Sequence, residues 1–176
     1  MTYGDRLLLG NQRESRISHF RIWVLLAVPL AAILFQVYIP LFFQFLSFLE
    51  LPLLVTIYFA LMRRSPIGGL FVGMAVGLAQ DSLSKNPLGM NGIVKTLVGY
   101  FAASVGLRFD VDHPAVRMVL TYFFFFFHQF FYWVLSRALL AQQVSFDIQR
   151  TLFLGLLNAV VGLSVFHFLD KLRLQQ

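Results

Sequence analysis

An all-α integral membrane protein with six transmembrane helices is the fold class the sequence predicts, and three observations carry that expectation. The 176 residues are 59% hydrophobic and only 12% charged, against about 25% charged in an ordinary soluble domain, so polar groups cannot cover the apolar surface. The apolar runs are helix-length and end at charged or Pro/Gly-rich links. The Lys and Arg residues also sort by alternate links. With the N-terminus inside, Arg6, Arg13, Arg16, Arg21, Arg63, Arg64, Arg108, Arg117, Lys171 and Arg173 fall on the cytoplasmic side, leaving Lys85, Lys95, Arg137 and Arg150. That excess is the positive-inside pattern for six crossings with both ends inside. The net charge of +6 sits beside the apolar runs and forms no basic face, so it fits anionic headgroups rather than nucleic acid.

In chain order, residues 1–21 read as a cytoplasmic tail, in which Leu7, Leu8 and Leu9 are able to rest at the headgroups. No cleaved signal peptide is expected, and the first apolar run reads as an anchor. Residues 22–62 are nearly all apolar, and at 1.5 Å per residue they would form about 60 Å of helix, twice the hydrocarbon thickness. The run must therefore fold back once. Pro40, Gln44, Ser47, Glu50 and Pro52 mark the reversal, with Pro52 suited to a first helical turn and Glu50 to its positive end. Helix 1 is placed at 22–42 and helix 2 at 46–62, stopped by Arg63 and Arg64.

Helix 3 is predicted over 66–80 and helix 4 over 88–107. Gly69, Gly73 and Gly77 recur every fourth residue and form a ridge without side chains. Gly92, Thr96, Gly99, Ala103 and Gly106 repeat the device, so the two helices are predicted to pack tightly. Asp81 ends the first run, and Asn86, Pro87, Leu88 and Gly89 give a turn with a new helix start. Helix 5 is placed at 114–140 behind Asp110, Asp112 and Pro114. Helix 6, at 148–169, carries Gly155, Asn158 and Gly162 on one face. The transmembrane domain is thus 22–173, with 174–176 as the C-terminal tail.

Few residues are suited to chemistry. Asp81 and Lys95 are candidate ion partners across the link between helices 3 and 4, since a charge within a span is costly. Equally, Lys95 is able to snorkel outward while Asp81 caps the link. His128, Tyr132 and Ser136 share a stripe of helix 5, and with Asn158 they are either a polar pocket or separate interhelical hydrogen bonds. The four histidines show no metal spacing, there are no cysteines, and no phosphate loop or nucleophile elbow occurs. No enzyme activity, metal or cofactor is expected. An intramembrane enzyme using Asp81 with His128 is the remotest reading. The phenylalanine block 123–127 covers every azimuth of helix 5. Part of it must face lipid or a partner's membrane helix, and part is free to fill space against small residues elsewhere.

The order Gly69-x-x-x-Gly73-x-x-x-Gly77-Leu78-x-x-Asp81, then Pro87-Leu88-Gly89, then a helix carrying Val98-Gly99-Tyr100, resembles the bacterial rod shape-determining MreD family. The match is strongest from about residue 51 to 106. The resemblance implies a non-enzymatic scaffold of the cell-elongation machinery in the inner membrane. Its expected partners are MreC directly and, through it, the wall-synthesising glycosyltransferase and transpeptidase and the actin-like filament. It also implies a fold similar to the S components of energy-coupling-factor transporters, and marks Asp81, Pro87 and Gly89 as family positions. The alternative is an S-component-like transport subunit that binds a small molecule, for which Ala27-x-x-x-Ala31 is the relevant docking feature, interrupted by Pro29.

Overall fold

The computed structural model describes residues 20–84 and 87–173, so residues 1–19 of the N-terminal tail, Lys85, Asn86 and the C-terminal tail 174–176 lie outside the described residues. These residues form six α-helices: α1 (Ile22–Tyr38), α2 (Leu51–Arg63), α3 (Pro66–Leu83), α4 (Met90–Gly106), α5 (Pro114–Leu140) and α6 (Ile148–Asp170). Five segments are long and apolar enough to cross a membrane, and α4 is a further apolar helix of 17 residues. The chain is an all-α, multi-pass membrane protein.

The expected boundaries shift where local chemistry intervenes. Pro40 removes a backbone donor, and α1 gives way after Tyr38 to a short 3-10 turn, Ile39–Leu41, rather than running to 42. A second 3-10 turn, Gln44–Phe48, occupies the expected start of helix 2, which begins instead at Leu51 with Pro52 in its first turn. α3 continues through Asp81 to Leu83, so Asp81 belongs to a last helical turn rather than to the link. α4 starts at Met90 behind Gly89, whose φ of 93° is the left-handed conformation that glycine adopts without strain. α5 keeps the expected bounds and is capped by His113 rather than an acid: Nδ1 accepts from the Ala115 amide.

The body is built around α2. Every residue from Pro52 to Met62 is buried, and this helix touches all five others. Its 13 residues give only about 20 Å, so the reversal before it lies within the depth of the protein, overhung by the longer α5 and α6. An apolar helix without a polar face is enclosed either by lipid or by other helices, and α2 is enclosed by helices. Tyr58, Phe59, Phe124, Phe125 and Phe166 fill the space around it.

At one end of the bundle, Arg117 gathers four segments. Its guanidinium is buried and pairs with Asp170 on α6 and Asp112, and Nε donates to the Val111 carbonyl. Tyr58 of α2 donates to the same Asp170 at 2.9 Å, and Arg173 closes the set on Asp112. A buried charge survives by such multiple partnering.

Candidate functional site, a buried polar relay

The contact between α3 and α4 is made backbone to backbone. A methyl group placed on Gly69 would strike the carbonyl of Gly99, on Gly73 that of Lys95, and on Gly77 that of Asn91. These pairs define one antiparallel register, in which each step of four along α3 is a step of four back along α4. Continued one turn further, the register brings Asp81 to the N-terminus of α4.

There the Asp81 carboxylate, itself buried, serves as a cap supplied by a neighbouring helix. Oδ2 accepts from the amides of Gly89 at 3.0 Å and Gly92 at 3.1 Å. Oδ1 accepts from the Asn91 amide at 3.3 Å and its side-chain Nδ2 at 2.8 Å. A negative group at the positive end of a helix, taking up otherwise orphaned N–H donors, is strongly complementary. Gly89 is needed where it stands, since its amide faces Asp81 only because the chain turns left-handed there. Pro87 precedes it, its carbonyl accepting from the Met90 amide.

Lys95 is completely buried and does not snorkel. It is also no direct ion partner of Asp81: among the described residues the salt bridges are those at Arg117 and Arg173. Asn91 stands between them, giving Nδ2 to Asp81 and receiving Lys95 Nζ on Oδ1 at 2.9 Å. Nζ lies 3.3 Å from His128 Nε2 on α5. With lysine as ammonium, Nε2 must be the acceptor and the ring proton sits on Nδ1. Asp81, Asn91, Lys95 and His128 thus form a relay from α3 through α4 to α5. Glu50 at the start of α2 is a further acid of the interior, and its Oε2 is buried without a hydrogen-bond partner among the described residues.

The four residues expected to share a pocket divide. His128 turns inward to Lys95, with its ring stacked on Tyr132 at 6.2 Å. Tyr132 lines a cavity of about 390 Å³ with Glu50, Ser136, Gln142 and Arg150, between the reversal and the α5–α6 link. Asn158 does not line that cavity. It pins the reversal instead, donating from Nδ2 to the Phe48 carbonyl and accepting on Oδ1 from the Glu50 amide, both at 2.9 Å. Sequence reasoning missed Asn91 and Arg117. The first left a signal, since an amide four residues before a buried lysine shares its helix face. The second reads from the sequence only as a topological charge; Val111 and Asp112 lie near it in the chain, but the principal partner, Asp170, is remote in sequence. Among the described residues no cluster of His, Cys, Asp or Glu is arranged to hold a metal.

Helices of membrane-spanning length around a buried polar relay, with glycine ridges setting the register, define a compact multi-pass membrane protein. The family model for "rod shape-determining protein MreD" matches residues 16–172, nearly the whole chain. The chain therefore belongs to the MreD family of rod shape-determining membrane proteins. No curated protein and no solved structure matches it.

Proposed function

We propose that this protein is a non-enzymatic scaffold of the cell-elongation machinery, seated in the bacterial inner membrane with both termini in the cytoplasm. In this reading it holds the single membrane helix and juxtamembrane region of MreC, and through MreC acts beside the wall-synthesising enzymes and the actin-like filament. The observation that carries the reading is family membership over residues 16–172. The links between the helices are short, so little surface is offered outside the membrane, and recruitment must work through helix faces.

The glycine ridges of α3 and α4 are spent on each other, apart from Gly106, which meets the Leu61 backbone of α2. The small-residue ridge left unpartnered is Ala27 and Ala31 on α1, both exposed, on a span that is little buried. That face is where we place the MreC helix. Site-specific photocrosslinking from positions 27, 31 and 34 in cells tests the assignment. Adducts with MreC are expected, and no contact from any helix of this protein would sink it.

A second reading has two specific observations in its favour. The exposed Ala27 and Ala31, together with the polar-lined cavity of about 390 Å³, are also what a small-molecule-binding transport subunit needs. Affinity purification in mild detergent separates the two. A single-span periplasmic protein is expected as the companion, whereas an ATPase pair with a membrane coupling subunit would favour transport.

A further inference from the structure

A groove of about 620 Å³ runs between α1 and α3, apart from the exposed face of Ala27 and Ala31. Leu26, Pro29 and Ile33 form one wall, and Phe71, Ala75 and Ala79 the other. Its lining is apolar except at one end, where Arg63 closes it. The Arg63 guanidinium carbon lies 3.9 Å from where a Gly68 side chain would begin, so the cation sits over the mouth. Arg64 follows immediately. Among the described residues neither arginine is in an ion pair.

Length and charge decide what fits. From Gly68 to Ala79 is eleven residues of α3, about 16 Å of groove, which is half of the roughly 30 Å hydrocarbon thickness. A membrane-spanning helix needs the full thickness, whereas an acyl chain of one leaflet needs half. A single-span partner would also bring its own Lys and Arg to the cytoplasmic face, against Arg63 and Arg64. An anionic headgroup is attracted to both.

We propose that this groove is a binding site for one anionic phospholipid of the leaflet on the Arg63 side. One acyl chain lies along Ala75 and Ala79, and the phosphate is held by Arg63 with Arg64. The leaflet assignment rests on the topology proposed above; the groove and its charge do not.

The test is native mass spectrometry of the delipidated full-length protein in mild detergent, titrated with phosphatidylglycerol or phosphatidylcholine. Ala75→Phe fills the exposed groove wall, Met74→Phe is its neighbour on another face, and Arg63→Gln with Arg64→Gln removes the charge. Wild type and Met74→Phe are expected to retain one phosphatidylglycerol at least tenfold more tightly than phosphatidylcholine. The double Gln variant should lose that preference, and Ala75→Phe should lose the bound lipid with an unchanged circular dichroism spectrum. Glycerol phosphate without acyl chains should not compete. Equal retention of both lipids by wild type, or displacement by glycerol phosphate, overturns the proposal. So does loss of MreC, rather than of lipid, from Ala75→Phe in co-purification. Failure of MreC to co-purify with wild type would defeat the scaffold reading and leave the lipid result standing.

Discussion

Asp81 carries more of the local structure than any other single side chain. Replacing it with Ala would orphan the first amides of α4 together with the Asn91 side chain. A loss of about 3 kcal/mol is expected, read as denaturant or thermal stability in mild detergent, with Asp81→Asn milder because one oxygen remains. Asp81→Asn and Lys95→Met are expected to be non-additive by about 1 kcal/mol, because Asn91 transmits each to the other. Repeating the cycle in an Asn91→Leu background should bring the coupling below about 0.5 kcal/mol, and an unchanged coupling would mean the relay is not the path. Gly89→Ala is a purely conformational test, since nothing lies within 4 Å of the added methyl. The left-handed backbone alone should cost about 1–2 kcal/mol. From the sequence, Asp81, Gly89 and Lys95 were legible as unusual residues, but their connection was not. Spacing places two charges near one link, while the amide between them shows only when the helix register is known.

Between elements, the α3–α4 register is set by glycines, and the consequence is graded by what each would meet. Gly73→Ala drives a methyl into the Lys95 carbonyl, so the helices must separate and the relay with them. A marked fall in melting temperature is expected. Gly155→Ala meets only the edges of the Tyr122 and Phe125 rings at 3.1–3.3 Å. The Tyr122 ring is half-buried and has room to give, the Phe125 ring is held in the core, and alanine favours helix over glycine by about 1 kcal/mol, so a much smaller fall than for Gly73→Ala should be measured. If the two variants melted together, backbone contact would not be what holds α3 to α4. The ridge was legible because a four-residue glycine period is visible in one dimension. The 3-10 turns of the reversal were not, since Pro40 and Pro52 announce a break without specifying the geometry between them. Nor was the place of α2 in the centre: an apolar run in a membrane protein reads alike whether its neighbours are lipid or other helices.

For the whole molecule, the distribution of charge predicts which end faces the cytoplasm. Single cysteines at Arg64 and Ser145, in a chain that has none of its own, should label from opposite faces. In intact cells an impermeant maleimide is expected to reach Ser145→Cys, and to reach Arg64→Cys only after permeabilisation. Labelling of both from one side would overturn the six-crossing topology. The Arg117–Asp170–Asp112 group ties the end that carries Arg64, so Arg117→Gln should weaken the whole bundle rather than one link. A loss of about 3 kcal/mol is expected in the same unfolding assay, because Asp170 would be left without its principal cation.

The bond between Asn158 and the reversal also orders events in time. Phe48 and Glu50 leave the ribosome more than a hundred residues before the side chain that fastens them. During synthesis the first hairpin therefore holds its reversal by the bond from the Leu51 amide to the Gln36 side chain, and lacks the Asn158 bonds to Phe48 and Glu50 until the last helix inserts. Nascent chains stalled short of Asn158 should be cut readily by membrane proteases at residues 43–50, and chains stalled beyond α6 should resist. Quality control of this protein would then reduce to whether its final helix has arrived.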